Sequence, residues 1–162
     1  MKKIKLFTLL GALSTLFMGC PYTAEMPLDQ PSVKTDDKLL GKWEQKTSSD
    51  YAYTVTKEDD FTYKIEKKTV SSGDITVYKG FLSDIGGTKY MNLWEINESA
   101  TKAYYFYKIE VTTSGSKVTM LSVTENIDEK FTSSAEMKDF FKKNQLLSFF
   151  FEKEEDVYIK AD

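Results

Sequence analysis

The chain has 162 residues, 41% of them hydrophobic and 29% charged, with a formal net charge of -3. That size and balance suit one folded domain and exclude both a disordered chain and a polytopic membrane protein. It contains no histidine, all 22 of its basic residues are lysine, and its one cysteine is Cys20. These absences exclude imidazole acid–base catalysis, Ser-His and Cys-His nucleophiles, an intramolecular disulfide and the common Cys/His zinc sets, and they leave no guanidinium for bidentate anion recognition.

Residues 1–19 have the layout of a secretory signal, with Lys2, Lys3 and Lys5 as the positive end and Leu6 to Met18 as an apolar stretch too short to span a bilayer comfortably. The stretch ends in Leu16-Phe17-Met18-Gly19-Cys20. This ending resembles the bacterial lipoprotein lipobox, in which a small residue precedes a cysteine that is acylated on sulfur and becomes the new N-terminus. Phe17 stands where the lipobox usually has Leu. The resemblance implies lipidation at Cys20, a membrane held through that lipid, and a bacterial cell envelope location on the periplasmic or surface face. Removing the three leader lysines leaves 19 lysines against 25 acidic residues, a net charge of -6. That balance argues against nucleic acid as a partner and against electrostatic docking on anionic lipid.

Residues 20–38 contain Pro21, Pro27 and Pro31 among polar residues with no strand or helix period. They are expected to form a flexible, lipid-anchored tether. One domain follows, residues 39–162.

From Leu39 onward the period is 2. Phe61, Tyr63 and Ile65 alternate with Thr62, Lys64 and Glu66, and Tyr51, Tyr53 and Val55 alternate with Ala52, Thr54 and Thr56. Further strands are expected at 41–47, 74–83, 89–97, 102–112, 117–125, 146–152 and 157–160. Turn residues separate the first seven at short intervals, for example Ser71-Ser72-Gly73-Asp74, Ile85-Gly86-Gly87 and Ser114-Gly115-Ser116. Connections this short join antiparallel neighbours only. The fold class is therefore all-β: an antiparallel up-and-down meander barrel of eight to nine strands, since closure removes the exposed edges. One α-helix is expected before the last strands. Ser133 and Glu136 fit a capping box, Met137, Phe140 and Phe141 share a face, Lys142 and Lys143 suit the C-terminal end, and Asn144 can close it. Tyr104 and Phe106 lie opposite Tyr105, Tyr107 and Ile109 on one strand; if one set faces the barrel interior, the other needs cover outside.

Leu40-Gly41-Lys42-Trp43 opens the first strand. A Gly-x-Trp there, on an antiparallel meander with a late helix, resembles the lipocalins and the broader calycin group, bacterial lipocalin-like lipoproteins in particular. The resemblance covers roughly residues 39–162. It implies a Trp sealing one end of the barrel and an interior able to hold a small ligand. The Thr-Asp motif of that group has no counterpart here, and its C-terminal arginine, which packs over the Trp, is replaced by nothing closer than Lys153 or Lys160.

The aromatic residues assigned to the inner faces are Trp43, Tyr51, Tyr53, Tyr63, Tyr90, Trp94, Tyr105 and Tyr107. Buried phenols need partners, so these rings either fill a solid barrel or line a pocket for a small hydrophobic or aromatic ligand. The candidate ligand-binding residues are accordingly Trp43, Tyr53, Tyr63, Tyr90, Trp94, Tyr105 and Tyr107. The acidic clusters at Asp36-Asp37, Glu58 to Asp60, Asp128-Glu129 and Glu152 to Asp156 lack calcium-loop spacing and are expected at solvated tips. No nucleophile elbow, phosphate loop or dinucleotide fingerprint occurs. The expectation is a monomeric, non-catalytic binding protein without metal or cofactor. The other reading is an interaction or inhibitor lipoprotein with a solid barrel and an acidic binding surface.

Overall fold

The computed structural model describes residues 21–96 and 102–161. Residues 1–19, expected to be a signal segment, and Cys20 lie outside the described residues. Among the described residues there are nine strands: β1 (Thr23–Ala24), β2 (Gly41–Gln45), β3 (Tyr51–Lys57), β4 (Thr62–Thr69), β5 (Ile75–Ile85), β6 (Thr88–Glu95), β7 (Tyr104–Val111), β8 (Lys117–Ser122) and β9 (Asp156–Lys160). A 3₁₀ turn (Asp37–Leu39) precedes β2, and helix α1 (Ser134–Asn144) precedes β9.

Strands β2 to β8 form a continuous antiparallel meander, and β9 closes it by pairing with both β8 and β2. The result is an eight-stranded antiparallel barrel with one extra strand, β1, laid on the first residues of β7 where β8 has run out. Alternation sets the two faces. On β4, Tyr63 and Ile65 belong to the inner core, while Lys64 and Glu66 pair at 2.7 Å on the outside. The register Tyr53↔Lys67 and Lys57↔Tyr63 puts the β3–β4 hairpin at the end of the barrel occupied by Tyr63.

That end is closed. Leu39 from the 3₁₀ turn, Trp43, Tyr63, Leu82, Ile109 and Val118 are buried together across it. Trp43 Nε1 donates to the Leu39 carbonyl oxygen at 2.9 Å, and the backbone N–H of Asp36 donates to the Tyr63 hydroxyl at 2.5 Å. The turn is thus tied to the floor it covers. Gly41 enters β2 with φ 122°, and a Cβ there would sit 3.0 Å from Lys160 Cε. The positive φ requires glycine at the head of the Gly-x-Trp motif, and the close lysine stem adds to the crowding there.

A second core lies outside the barrel. Phe81, Tyr90, Tyr104 and Phe106 on the outer face of β5 to β7 are buried against Met137 and Phe141 of α1, with Phe150 and Leu28. The Phe141 ring lies 5.5 Å from Tyr90, 5.6 Å from Phe106 and 5.1 Å from Phe150, all edge-to-face. Such pairs add roughly 0.5–1.5 kcal/mol each beyond burial. The helix therefore supplies the cover that the two-faced β7 requires.

The helix starts as expected, with Ser133 Oγ accepting from the Glu136 N–H at 3.2 Å. The Glu136 carboxylate, however, turns back to the N–H and hydroxyl of Thr132, at 2.9 and 3.0 Å, instead of completing the box on Ser133. At the other end Asn144 Nδ2 donates to the Phe140 carbonyl at 2.8 Å, and Gln145 is the capping residue.

Two expectations are overturned. The segment 146–152 is a series of tight turns, with Leu147 N–H bonded to Asn144 O and Phe150 N–H to Leu147 O; a lone bridge, Val123↔Phe151, is its only strand-like pairing among the described residues. Its apolar run has no polar alternation: Phe150 completes the outer core while Leu146 and Phe149 stay exposed. Residues 21–38 form no free tether but a belt around the barrel. Thr23 pairs with Tyr105, Leu28 is buried with its N–H on Asn92 Oδ1 at 2.9 Å, Ser134 Oγ donates to the Pro27 carbonyl at 2.6 Å, and Lys138 forms an ion pair with Asp29. The segment runs through a series of bends, and the isolated apolar residues Tyr22, Met26 and Leu28 find the outer core without needing a period.

Candidate ligand cavity

Above the closed floor the barrel interior is not filled. A cavity of about 330 Å³ opens toward the end opposite the β3–β4 hairpin, at the lower end of the roughly 300–1,000 Å³ range of small-molecule pockets. Its deeper wall is apolar: Leu39, Trp43, Met91, Ile109 and Val118 are all buried. Gly80 contributes space, because a Cβ at that inward position would stand 2.8 Å from Met91 Sδ. The upper wall is a ring of phenols, Tyr53, Tyr78, Tyr105, Tyr107 and Tyr158, with Asp156 and Lys67.

The cavity brings together four of the seven expected ligand-binding residues: Trp43, Tyr53, Tyr105 and Tyr107. Tyr63 faces inward but is sealed in the floor, where burial pushes its phenol up to about 12 despite the bond from Asp36. Tyr90 and Trp94 are on the outside. Tyr90 bonds Gln145 through its hydroxyl at 3.1 Å, and Trp94 packs 5.4 Å from Tyr104 beneath the Lys102 ammonium. The reason is parity on β6, where Met91 and Leu93 take the interior and Tyr90, Asn92 and Trp94 the exterior. Both faces of that strand carry two large apolar residues, so its period alone does not orient it. Tyr51 is also outside the lining; its ring carries the Lys67 ammonium at 3.8 Å.

Four polar lining residues were not among the candidates: Tyr78, Tyr158, Lys67 and Asp156. The register signals two of them, since Tyr78 shares its face with Gly80 and Leu82, and Lys67 shares one with Tyr63 and Ile65. Asp156 belongs to the acidic run expected at a solvated tip. The last residue of that run is the first of β9, opposite Met120, and its side chain turns into the cavity wall.

The electrostatics follow from this placement. Asp156 is half-buried, accepts a hydrogen bond from Gln45 Nε2 at 2.7 Å, and has its pKa raised, first by desolvation, against the effect of the Gln45 bond, and further by Glu154. Tyr107 and Tyr158 are raised strongly and Tyr53 and Tyr78 less so, in each case chiefly by burial. The Tyr53 and Tyr158 rings meet edge-to-face at 5.2 Å. All these phenols are neutral near pH 7 and offer both donors and acceptors.

No protein-family model matches the chain, and neither a curated protein nor a solved structure matches it. The antiparallel eight-stranded barrel agrees with the architecture that the Gly-x-Trp resemblance implies.

Proposed function

We propose that this protein is a non-catalytic carrier or sensor of a small amphipathic molecule, held on the bacterial envelope by a lipid on Cys20. The observation that carries the binding reading is the cavity: apolar below, phenolic above, and enclosed by a barrel whose other end is sealed. A protein acting only through its outer surface has no need of an unfilled interior, because each missing side chain forfeits burial and dispersion energy. The lining has no histidine or cysteine and no paired carboxylates, so binding without chemical change is the simplest use of it. The envelope location rests on the basic, apolar and Gly19-Cys20 succession of the first twenty residues.

The neutral probe N-phenyl-1-naphthylamine tests the cavity, read by its own emission and by quenching of Trp43 in a Trp94→Phe background. Saturable binding at one site, abolished by the cavity-filling Met120→Trp, is expected; absence of saturable binding by a folded protein refutes the reading. Lipidation is tested by incorporation of a fatty-acid analogue in bacteria, which Cys20→Ala should eliminate.

A further inference from the structure

We infer that the cavity selects organic ammonium ions, molecules with an aliphatic or aromatic body and one cationic nitrogen seated against Asp156 among the tyrosine rings. This rests on the carrier reading and names the ligand class of the same site.

The central observation is a carboxylate without a counter-ion. A carboxylate in the wall of an apolar cavity costs folding free energy unless a cation neutralises it. The hydrogen bond to Asp156 comes from the neutral amide of Gln45, and among the described residues no lysine forms an ion pair with it. Glu154 adds to the negative potential around it, and the neutral phenols of the cavity wall carry no charge to offset it. A cation brought by a ligand relieves that cost, and the relief appears as affinity.

The second observation is the set of rings. Five tyrosines share the cavity wall with Asp156, and two of them, Tyr53 and Tyr158, stand almost perpendicular at 87°. Ring faces attract ammonium groups through their quadrupole, most strongly where water is excluded, and ring sets of this kind accept alkylated nitrogen. The aliphatic floor of Leu39, Ile109 and Val118 then takes the apolar body.

Lys67 marks the competing choice, an anionic ligand. It stands three strands away in the order β9, β2, β3, β4, and its ammonium already rests on the Tyr51 ring. It is thus both separated from Asp156 and occupied.

Displacement of bound N-phenyl-1-naphthylamine by decylammonium, decanol and decanoate at pH 7 decides the matter, because the three share one chain and differ in head-group charge. Decylammonium is expected to displace the probe at a concentration at least tenfold below the other two. Asp156→Asn should bring it to the level of decanol while leaving decanol unchanged. Equal displacement by all three, a preference for decanoate, or a cation preference that survives in Asp156→Asn overturns the inference and leaves the carrier reading standing. Failure of the probe and of all three ligands to bind overturns the carrier reading itself and the inference with it. Should Asp156→Asn not fold, the series on the unaltered protein still decides.

Discussion

The Lys160 ammonium lies 5.3 Å from the centroid of the Trp43 ring, and the two residues are direct partners in the pairing of β2 with β9. This is the seam where the last strand closes the barrel on the first. An aromatic ring that seals the floor is therefore held by a neighbour on the strand that completes the circle, and a cation over an indole face supplies roughly 0.5–1 kcal/mol at a partly exposed site. Lys160→Met, which keeps the stem and removes the charge, should lower stability by about that amount in urea unfolding. Trp43→Ala should lose about 3–5 kcal/mol because it also empties the floor.

Gly41 is the third member of the seam. Its positive φ and the 3.0 Å approach of Lys160 Cε to a Cβ act together. Gly41→Ala is expected to cost about 1–3 kcal/mol, and combining it with Lys160→Ala should recover part of that loss, since the steric share disappears with the lysine side chain. Strict additivity of the two substitutions would show that only backbone strain is at work.

Asn92 fastens the N-terminal belt. It is fully buried, donates to Ser83 Oγ at 2.9 Å and to the Phe81 carbonyl at 3.3 Å, and accepts from the Leu28 N–H at 2.9 Å. Asn92→Leu leaves that N–H and the Ser83 hydroxyl unpaired. A loss of about 1–3 kcal/mol is expected, together with fast hydrogen exchange at Leu28 while the amides of β3 and β4 remain protected.

Asp156 sets a sign for pH dependence. Its folded pKa is raised above the ordinary value of 3.8, so the folded state holds the proton more tightly than the unfolded state does. The stability from that difference is complete below about 3.8 and is lost as pH rises through the folded value. The groups that act on the carboxyl are Gln45 and Glu154, and the neighbouring phenols of Tyr53, Tyr107 and Tyr158 stay neutral throughout this window. Asp156→Asn should remove this component, so its stability relative to the parent should rise between acid and neutral pH in paired denaturation curves. A flat difference across that range would contradict the assignment.

Much of this architecture was legible in the residues. The alternation on β3 and β4, the short turns, Ser133 at the start of α1 and the cover needed by Tyr104 and Phe106 are local properties, and each has its place in the fold. Lys160 over Trp43 also matches one of the two lysines available to replace a missing arginine. What was not legible depended on contacts distant in sequence. Nothing local orients β6, whose two faces each carry large apolar residues, so Tyr90 and Trp94 read as inward from the sequence and are outward in the fold. Nothing near Leu28 announces Asn92, 64 positions away. The acidic stretch before β9 is charged enough to suggest solvent, and only closure of the barrel turns Asp156 inward.

The outer core also divides the barrel mechanically. Strands β5 to β7 are clamped between an interior and a layer of helix, belt and turns, whereas β3 and β4 present Thr54, Thr56, Lys64 and Glu66 to water. The protein is in effect a stiff back with a lighter front. Tyr53 and Lys67 stand on that front, so the part of the cavity wall they form is backed by no second layer among the described residues.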